Sequence, residues 1–469
     1  EANQKIFEMI QRQNEIKIDK KVLDELKNLK DEILEKTLEK ALKEFPTYKK
    51  SGKKELVSIC VSADQIKKYL AANGIKLTTI SKNKIGEELN LEGVTLEGKN
   101  KTLIDLYRVL QSKGLSKYDT FNEYLEFSKD SIKDFQISHG AHTGRPAGKG
   151  LQLHNVSRPP KLVENFSSQT IINAIKGKLN EENFLEATQY LSSLLWACMI
   201  PDSKKEIIGR YDLSAIEPRV GAFLRNDKKT LDLYQLADEG KGKDEYTIFG
   251  EKMNFPENIS RQLSKVIILA ACYGMGSTAL RASCVNVGLP DMGDSKAKLL
   301  LSSYHSLNPT VKKSWYELEN KFKLAILNGR STYNHVEFER ILIGNKKFIA
   351  VILPSGRAKF YADCGISSNG KILYNDTRLG KIELRPYLLY ENLVQASATD
   401  VLFLKVAKVE KLKDVKVKLT IYDEMIVSTL PKNVKAISKI MAEEEAANPN
   451  MPLSFKGGES STFWKGDKV

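Results

Sequence analysis

The sequence predicts an α+β protein of several subdomains, and three observations carry that expectation. Residues 1–135 and about 229–345 space their apolar side chains as charged, amphipathic helices do. Short apolar or alternating runs at 206–211, 348–353, near 359 and 382, and 415–427 have the character of strands. At 469 residues the chain exceeds one simple core and implies about two to four subdomains. Its hydrophobic fraction of 41% is enough to bury them.

The elements follow in order. Ile10, Ile16, Ile18, Val22, Leu23, Leu26 and Leu29 recur among Lys and Glu residues, as on helices with mixed outer charge. Ile66, Tyr69 and Leu70, then Leu103, Leu106, Tyr107, Val109 and Leu110, repeat that pattern, with turns near Gly74 and Gly93. The character changes at residue 132. Ile132–Ile137 leads into a segment, 138–150, where four glycines stand within eleven residues and let backbone and basic side chains approach a partner closely. Helix returns over 170–200, and Glu206–Tyr211 reads as a buried strand that ends at Asp212. A helix over roughly 387–412 precedes a hairpin. No internal repeat or long low-complexity linker is evident.

Lys and Arg number 73 against 59 Asp and Glu, a formal charge of +14, which favours a polyanionic partner such as nucleic acid. Cys60, Cys198, Cys272, Cys284 and Cys364 are scattered without zinc-ligand or redox spacing. Reduced thiols in a cytoplasmic protein are therefore expected. There is no signal-peptide pattern and no apolar run long enough to span a bilayer, so a membrane partner is not expected.

Two acidic motifs carry the chemistry. In Tyr211-Asp212-Leu213-Ser214-Ala215-Ile216-Glu217 a strand hands over to a helix, and Ser214 with Glu217 fits a capping box. The second is Tyr422-Asp423-Glu424. Val415, Val417, Leu419 and Ile421 alternate with polar residues before it, and Met425 and Val427 follow, so the acids crown a hairpin. Either motif alone also suits a solvated turn. Together, two distant carboxylates suit two Mg²⁺ ions about 4 Å apart, which stabilise the attacking and leaving oxygens of phosphoryl transfer. Mg²⁺ takes oxygen ligands and keeps water, so it needs no full protein cage. His139 and His142 are read as packing or phosphate-binding residues rather than zinc ligands.

Between the acids, Arg261, Lys265, Leu269 and Tyr273 recur every four residues along one helical stripe, opposite apolar Val266, Ile267 and Ala270. Such a helix can hold phosphates at its cationic end and a base or sugar at its aromatic end. Gly274 lets it end or bend.

The order and content of these motifs resemble a family A DNA polymerase over roughly residues 130–430, with weaker similarity toward the N-terminus. Asp-Leu-Ser-Ala-Ile-Glu resembles motif A, Arg-x3-Lys-x7-Tyr-Gly motif B and Tyr-Asp-Glu motif C. Thr143-Gly144-Arg145 with Leu151–Asn155 is similar to the primer–template minor-groove segment, and Glu391–Ala396 to the helix before motif C. The first and fourth versions resemble phage and prophage members.

The resemblance implies a right-hand fold whose palm is a mostly antiparallel sheet backed by helices. Its division would be an N-terminal helical segment at 1–60, thumb at 61–135, palm at 136–229, fingers at 230–345 and palm again at 346–469. It implies that Asp212, the Leu213 carbonyl and Asp423 hold two Mg²⁺ ions, with Mn²⁺ as a substitute and Glu424 assisting. Arg261 and Lys265 would hold the triphosphate of a dNTP, Lys265 protonating the departing pyrophosphate, and Tyr273 would stack near the nascent pair. Glu217 would exclude ribose, and Arg145, Gln152, Asn155 and Gln395 would touch the minor groove of primer–template DNA.

Three departures from the family pattern stand out. Leu269 occupies a place where Phe or Tyr is usual, Tyr422 replaces His, and the span from 265 to 423 implies an insertion around 320–385. No Asp-x-Glu exonuclease signature precedes the polymerase region, so no proofreading is expected from this chain. A monomer in the cytoplasm of a bacterial host is the corresponding expectation. A single-subunit RNA polymerase shares the acids and the helix, but Glu217 and the Thr-Gly-Arg segment argue against it. A catalytically silent DNA-binding factor is disfavoured by the intact acids.

Overall fold

The computed structural model describes residues 8, 15–48, 56–77, 80, 96–137, 143, 145–157, 159–160, 162–287, 289 and 291–469. Its centre is a four-stranded antiparallel sheet in the order Val415–Ile421, Glu424–Thr429, Ile207–Leu213, Phe455–Ser460. The two inner strands bury most of their residues because both faces of the sheet are covered. Ile208, Leu419 and Ile426 enter one hydrophobic core, while Tyr211, Leu213, Met425 and Val427 enter the other. A register shift between Val417 and Leu419 moves the edge strand from one core to the other. The intervening Lys418 is buried but paired, with Asp202 at 2.5 Å and the Glu15 carbonyl at 2.6 Å.

The first core is made mainly by helices from the N-terminal third and from 168–194, but Ile16 and Ile18, expected on a helix, enter it from the strand Ile16–Ile18. Helix Lys20–Glu44 is capped by Asp19, whose carboxylate accepts from the Lys21 and Val22 amides. It buries Leu23, Leu26, Leu29, Ile33 and Ala41 along one stripe, against helices Gly98–Leu110, Lys113–Ser128 and Phe184–Leu194. Helices over 170–200 are found as expected, at Ser168–Asn180 and Phe184–Leu194.

The second core joins helices Ile216–Leu224, Glu257–Cys272, Asp294–Leu307, Pro309–Asn328 and Pro386–Val409. Here the helical expectation for 229–345 is corrected at its end. Gly329, at φ +89°, caps the last helix in the left-handed conformation, and strands Arg330–Tyr333 and Val336–Ile343 follow. The alternation of Val336, Glu337, Phe338 and Glu339 between inside and outside is a strand period. These strands open a six-stranded antiparallel meander that continues through Lys346–Ile352, Ala358–Ile366, Ile372–Asp376 and Gly380–Glu383. The meander fills most of the 320–385 stretch where extra length was expected.

Two buried acids fasten these parts. Arg357, in the turn after Lys346–Ile352, pairs with Asp400 of the long helix at 2.6 Å and donates to the Ala396 carbonyl at 2.9 Å. Asp134 lies under the short turn Leu153–Asn155 and accepts from the Leu153 amide at 3.3 Å. Burial raises its pKa to about 6, against the pull of backbone donors and Lys117. Lys117 itself donates to the Leu151 and Gln152 carbonyls, which supports the turn where Gln152 adopts φ +50°.

Replacing Arg357 with Met strands the Asp400 carboxylate and is expected to cost about 3–5 kcal/mol in chemical denaturation, whereas a loss under 1 kcal/mol would contradict the pairing. An acid whose pKa is raised on folding contributes stability below its unfolded pKa and loses it as pH rises through the folded value. Wild-type stability relative to Asp134→Asn should therefore fall by about 2 kcal/mol between pH 4 and pH 7. A difference that stays flat with pH would refute the burial of an ionisable group there.

Candidate active site

The antiparallel register sets Glu424 directly opposite Asp212, and the Leu213 amide donates to the Asp423 carbonyl at 3.0 Å. Carboxylates separated by two hundred residues of chain thus meet at one end of the central sheet. The expected hairpin is present, with Tyr422 and Asp423 as its two-residue loop and Tyr422 at φ +53°. Asp212 is half-buried, and burial, reinforced by Asp423 and Glu424, raises its pKa to about 6 while Lys465 and Lys265 pull it down. Asp423 is raised too, by burial first and Glu217 next, opposed by its backbone and by Lys265 and Arg145. Glu424 is different. Arg210, its neighbour across the sheet, donates from Nε to Oε1 at 3.0 Å.

The donor set suits a hard cation, because two crowded, partly desolvated carboxylates gain from added positive charge. No group of three or more His, Cys, Asp or Glu side chains forms a ready-made cage among the described residues. Any ion held here would complete its shell with the Leu213 carbonyl, water or a substrate's oxygens.

The strand-to-helix turn after Asp212 departs from the capping-box expectation. Helix Ile216–Leu224 begins after Ala215, which is left-handed at φ +50°, and no side chain caps it. Glu217 instead turns its carboxylate outward, accepting from Arg145 Nη2 on Oε1 and from the Tyr273 hydroxyl on Oε2. The turn is held by Arg219, which is buried. Its Nε donates to the Ser214 carbonyl at 2.9 Å, and its two terminal nitrogens reach Asp238 at 2.6 and 2.7 Å.

The cationic helix occupies Glu257–Cys272 and packs as its period predicts. Ile267, Ile268, Ala270 and Ala271 are buried, Val266 and Leu269 are half-buried, and Arg261 and Lys265 are exposed. Tyr273 closes the helix, and Gly274 follows at φ +66°. A Cβ on Gly274 would lie 2.5 Å from the Tyr387 ring, so a side chain there is excluded. Leu269 and Tyr273 line a small pocket with Glu217 and Tyr390. Burial and the Glu217 carboxylate push the Tyr273 phenol well above its usual pKa.

Arg145 joins the acid hairpin to the helix. Its guanidinium lies 5.9 Å from the Tyr422 ring centre while it pairs with Glu217. Gln152 and Asn155 share a short turn and hydrogen-bond each other at 2.9 Å. His154, between them in sequence, meets Tyr422 edge-on at 6.0 Å. Gln395 donates to Glu391 at 3.3 Å on the long helix. Burial raises Glu391, and Glu217 adds to the shift, which places this helix beside the same cluster. Asp212, Asp423, Lys265, Glu217, Arg145 and Tyr273 are thus brought together. Arg261 sits a helical turn away from Lys265, with its guanidinium held by Asp244. His139, Gly140, His142 and Gly144 lie outside the described residues.

Sequence reasoning missed Arg210, Arg219 and Asp244. Their partners are distant in sequence or lie in the next element, so no local pattern marks them.

Among known proteins, no family model matches the chain. A DNA polymerase of Bacillus phage SP02 is 26% identical over 427 residues, which covers 84% of this chain and 62% of that relative. The chain therefore spans less than two-thirds of the length of the curated relative it matches. Among solved structures, the POL domain of Pol1 from M. smegmatis, in complex with DNA primer-template and dNTP, matches 99% of this chain and 70% of that one. The TM-score is 0.62 at 15% identity, a likeness of fold. No described helix is long and apolar enough to cross a membrane. With the α+β architecture and the three motifs gathered at one sheet end, the chain has the fold of a DNA polymerase's polymerase region and is similar in sequence to a phage DNA polymerase.

Proposed function

We propose that the chain is a template-directed DNA polymerase of the phage type that adds dNTPs to a primer 3′ end. The observation that carries this reading is the meeting of Asp212 and Asp423 at one sheet end, within the electrostatic reach of Lys265 on the cationic helix. The phage relative is called a DNA polymerase, and the solved structure of like fold is in complex with DNA primer-template and dNTP. On this reading the central sheet and its helices are the palm, 230–345 the fingers and 61–135 the thumb, with 1–60 at the base.

Asp212, the Leu213 carbonyl and Asp423 would hold two Mg²⁺ ions, or Mn²⁺ in their place. When bound, such ions neutralise charge on the attacking and leaving oxygens of an in-line displacement. The chain's own groups do the rest. Arg261 and Lys265 bind the triphosphate, and as the primer 3′-oxygen bonds to the α-phosphorus, the bond to the bridging oxygen breaks. Lys265 gives a proton to the departing pyrophosphate. Glu217, held by the Tyr273 hydroxyl, crowds a 2′-hydroxyl, and Tyr273 offers its ring to the nascent pair. Arg145, Gln152, Asn155 and Gln395 read the minor-groove face of the duplex, where acceptor positions are similar for all pairs. Glu424 assists through its pairing with Arg210 rather than as a free ligand. In the present arrangement the Glu217 carboxylate also holds Arg145, so duplex binding must exchange that partner for a base edge.

Primer extension on a recessed template with Mg²⁺ tests the reading. Extension with dNTPs, abolished in Asp423→Ala while duplex binding persists, is expected; duplex binding with no extension under any divalent metal would leave only a DNA-binding factor. Glu217→Ala should gain ribonucleotide incorporation, and unchanged sugar preference would remove Glu217 from that role. Leu269 can neither donate a hydrogen bond nor stack, so Leu269→Tyr is expected to change the ratio of dideoxy- to deoxynucleotide incorporation. Equal ratios would count against a role for this position.

A further inference from the structure

Arg261 is held before any nucleotide arrives. Its Nε and Nη2 both donate to Asp244 Oδ2, at 3.2 and 2.7 Å, and its guanidinium lies 5.3 Å from the Tyr246 ring centre. Both partners come from the start of helix Glu245–Lys252, for which Asp244 is the N-cap. The other carboxylate oxygen, Oδ1, accepts from the Thr247 amide at 2.9 Å and the Thr247 hydroxyl at 2.7 Å. Burial opposes ionisation of Asp244, yet the Thr247 hydrogen bonds and Arg261 outweigh it and keep the carboxyl below its ordinary range. Tyr246 is buried, and the intervening Glu245 is anchored in the core by the hydroxyls of Tyr304 at 2.8 Å and Tyr234 at 3.1 Å. The mount is therefore rigid, while the Arg261 side chain remains 52% exposed.

We propose that Asp244 is a positioning residue for nucleotide binding, aiming Arg261 at the triphosphate. This deepens the polymerase reading and rests on its assignment of Arg261. A guanidinium carries five N–H groups in a fixed fork. Asp244 occupies the Nε side, which leaves both Nη1 hydrogens and one on Nη2 for a bidentate phosphate. Holding one edge removes rotamer freedom that binding would otherwise cost. The negative charge of Asp244 also weakens attraction at a distance, but that part is screened by salt, so orientation decides the sign.

The test is the dissociation constant for the templated dNTP, measured on the enzyme bound to a primer ended by a 3′-dideoxynucleotide. Asp244→Asn removes the charge yet keeps an oxygen for the cap, since Asn caps helices as well as Asp. The expected result is weaker dNTP binding by about two- to fivefold, with melting temperature and DNA affinity unchanged. In an Arg261→Gln background the same substitution should have no further effect. Unchanged or tighter binding in Asp244→Asn, or the same loss with Arg261 already replaced, would overturn the proposal. Asp244→Ala, which also loses the cap, should lower the melting temperature and so mark what a purely structural role looks like. If Arg261→Gln binds dNTP like the parent, Arg261 does not hold the triphosphate and the proposal falls with that assignment. If the parent binds no dNTP, the polymerase reading itself fails.

Discussion

The pairing of Glu424–Thr429 with Ile207–Leu213 is the interaction on which the site depends. Its register sets Glu424 opposite Asp212, and the Leu213 amide ties the neighbouring Asp423 to the same end. A slip of one residue would exchange the faces of every side chain in the strand and separate the acids. The sheet resists slipping because its two faces fill two different cores. Three like charges at one strand end are tolerated because Arg210 covers Glu424, while Lys265 and Lys465 oppose the charge on Asp212. The remaining negative charge makes the place chemically suited to a cation.

Other elements are arranged around that sheet end by buried polar groups. Arg219 holds the turn after Asp212 through Ser214 and Asp238, and these contacts offset the cost of the left-handed Ala215. The Arg357–Asp400 pair ties the meander to the long helix that carries Gln395. Glu217 accepts from Arg145 on one side and Tyr273 on the other, so one carboxylate links the glycine-rich segment to the end of the cationic helix.

Legibility followed the range of the interactions. The cationic helix was readable because its amphipathic period is local: of the three residues placed on its apolar side, Ile267 and Ala270 are buried and Val266 is half-buried. The Asp423 hairpin was readable because alternation and a two-residue turn are local as well. The capping box at Ser214 was misread: the tripeptide spacing is right, but Glu217 gains more from an Arg and a Tyr in space than from a backbone amide three residues back. The strands at 330–343 were read as helix because charged residues mask their alternation, although Gly329 marks the boundary.

The kinds of element and their order along the chain were legible in the sequence, because helix period, strand alternation and turn chemistry act within a few residues. Tertiary structure alone decided that Asp212 and Asp423 share one sheet end, that Arg210 takes Glu424, that Asp244 and Tyr246 hold Arg261, and that Glu217 joins Arg145 to Tyr273. Most of those partners are tens to hundreds of residues apart, and long-range pairing is set by which faces bury together, a choice that no local pattern records.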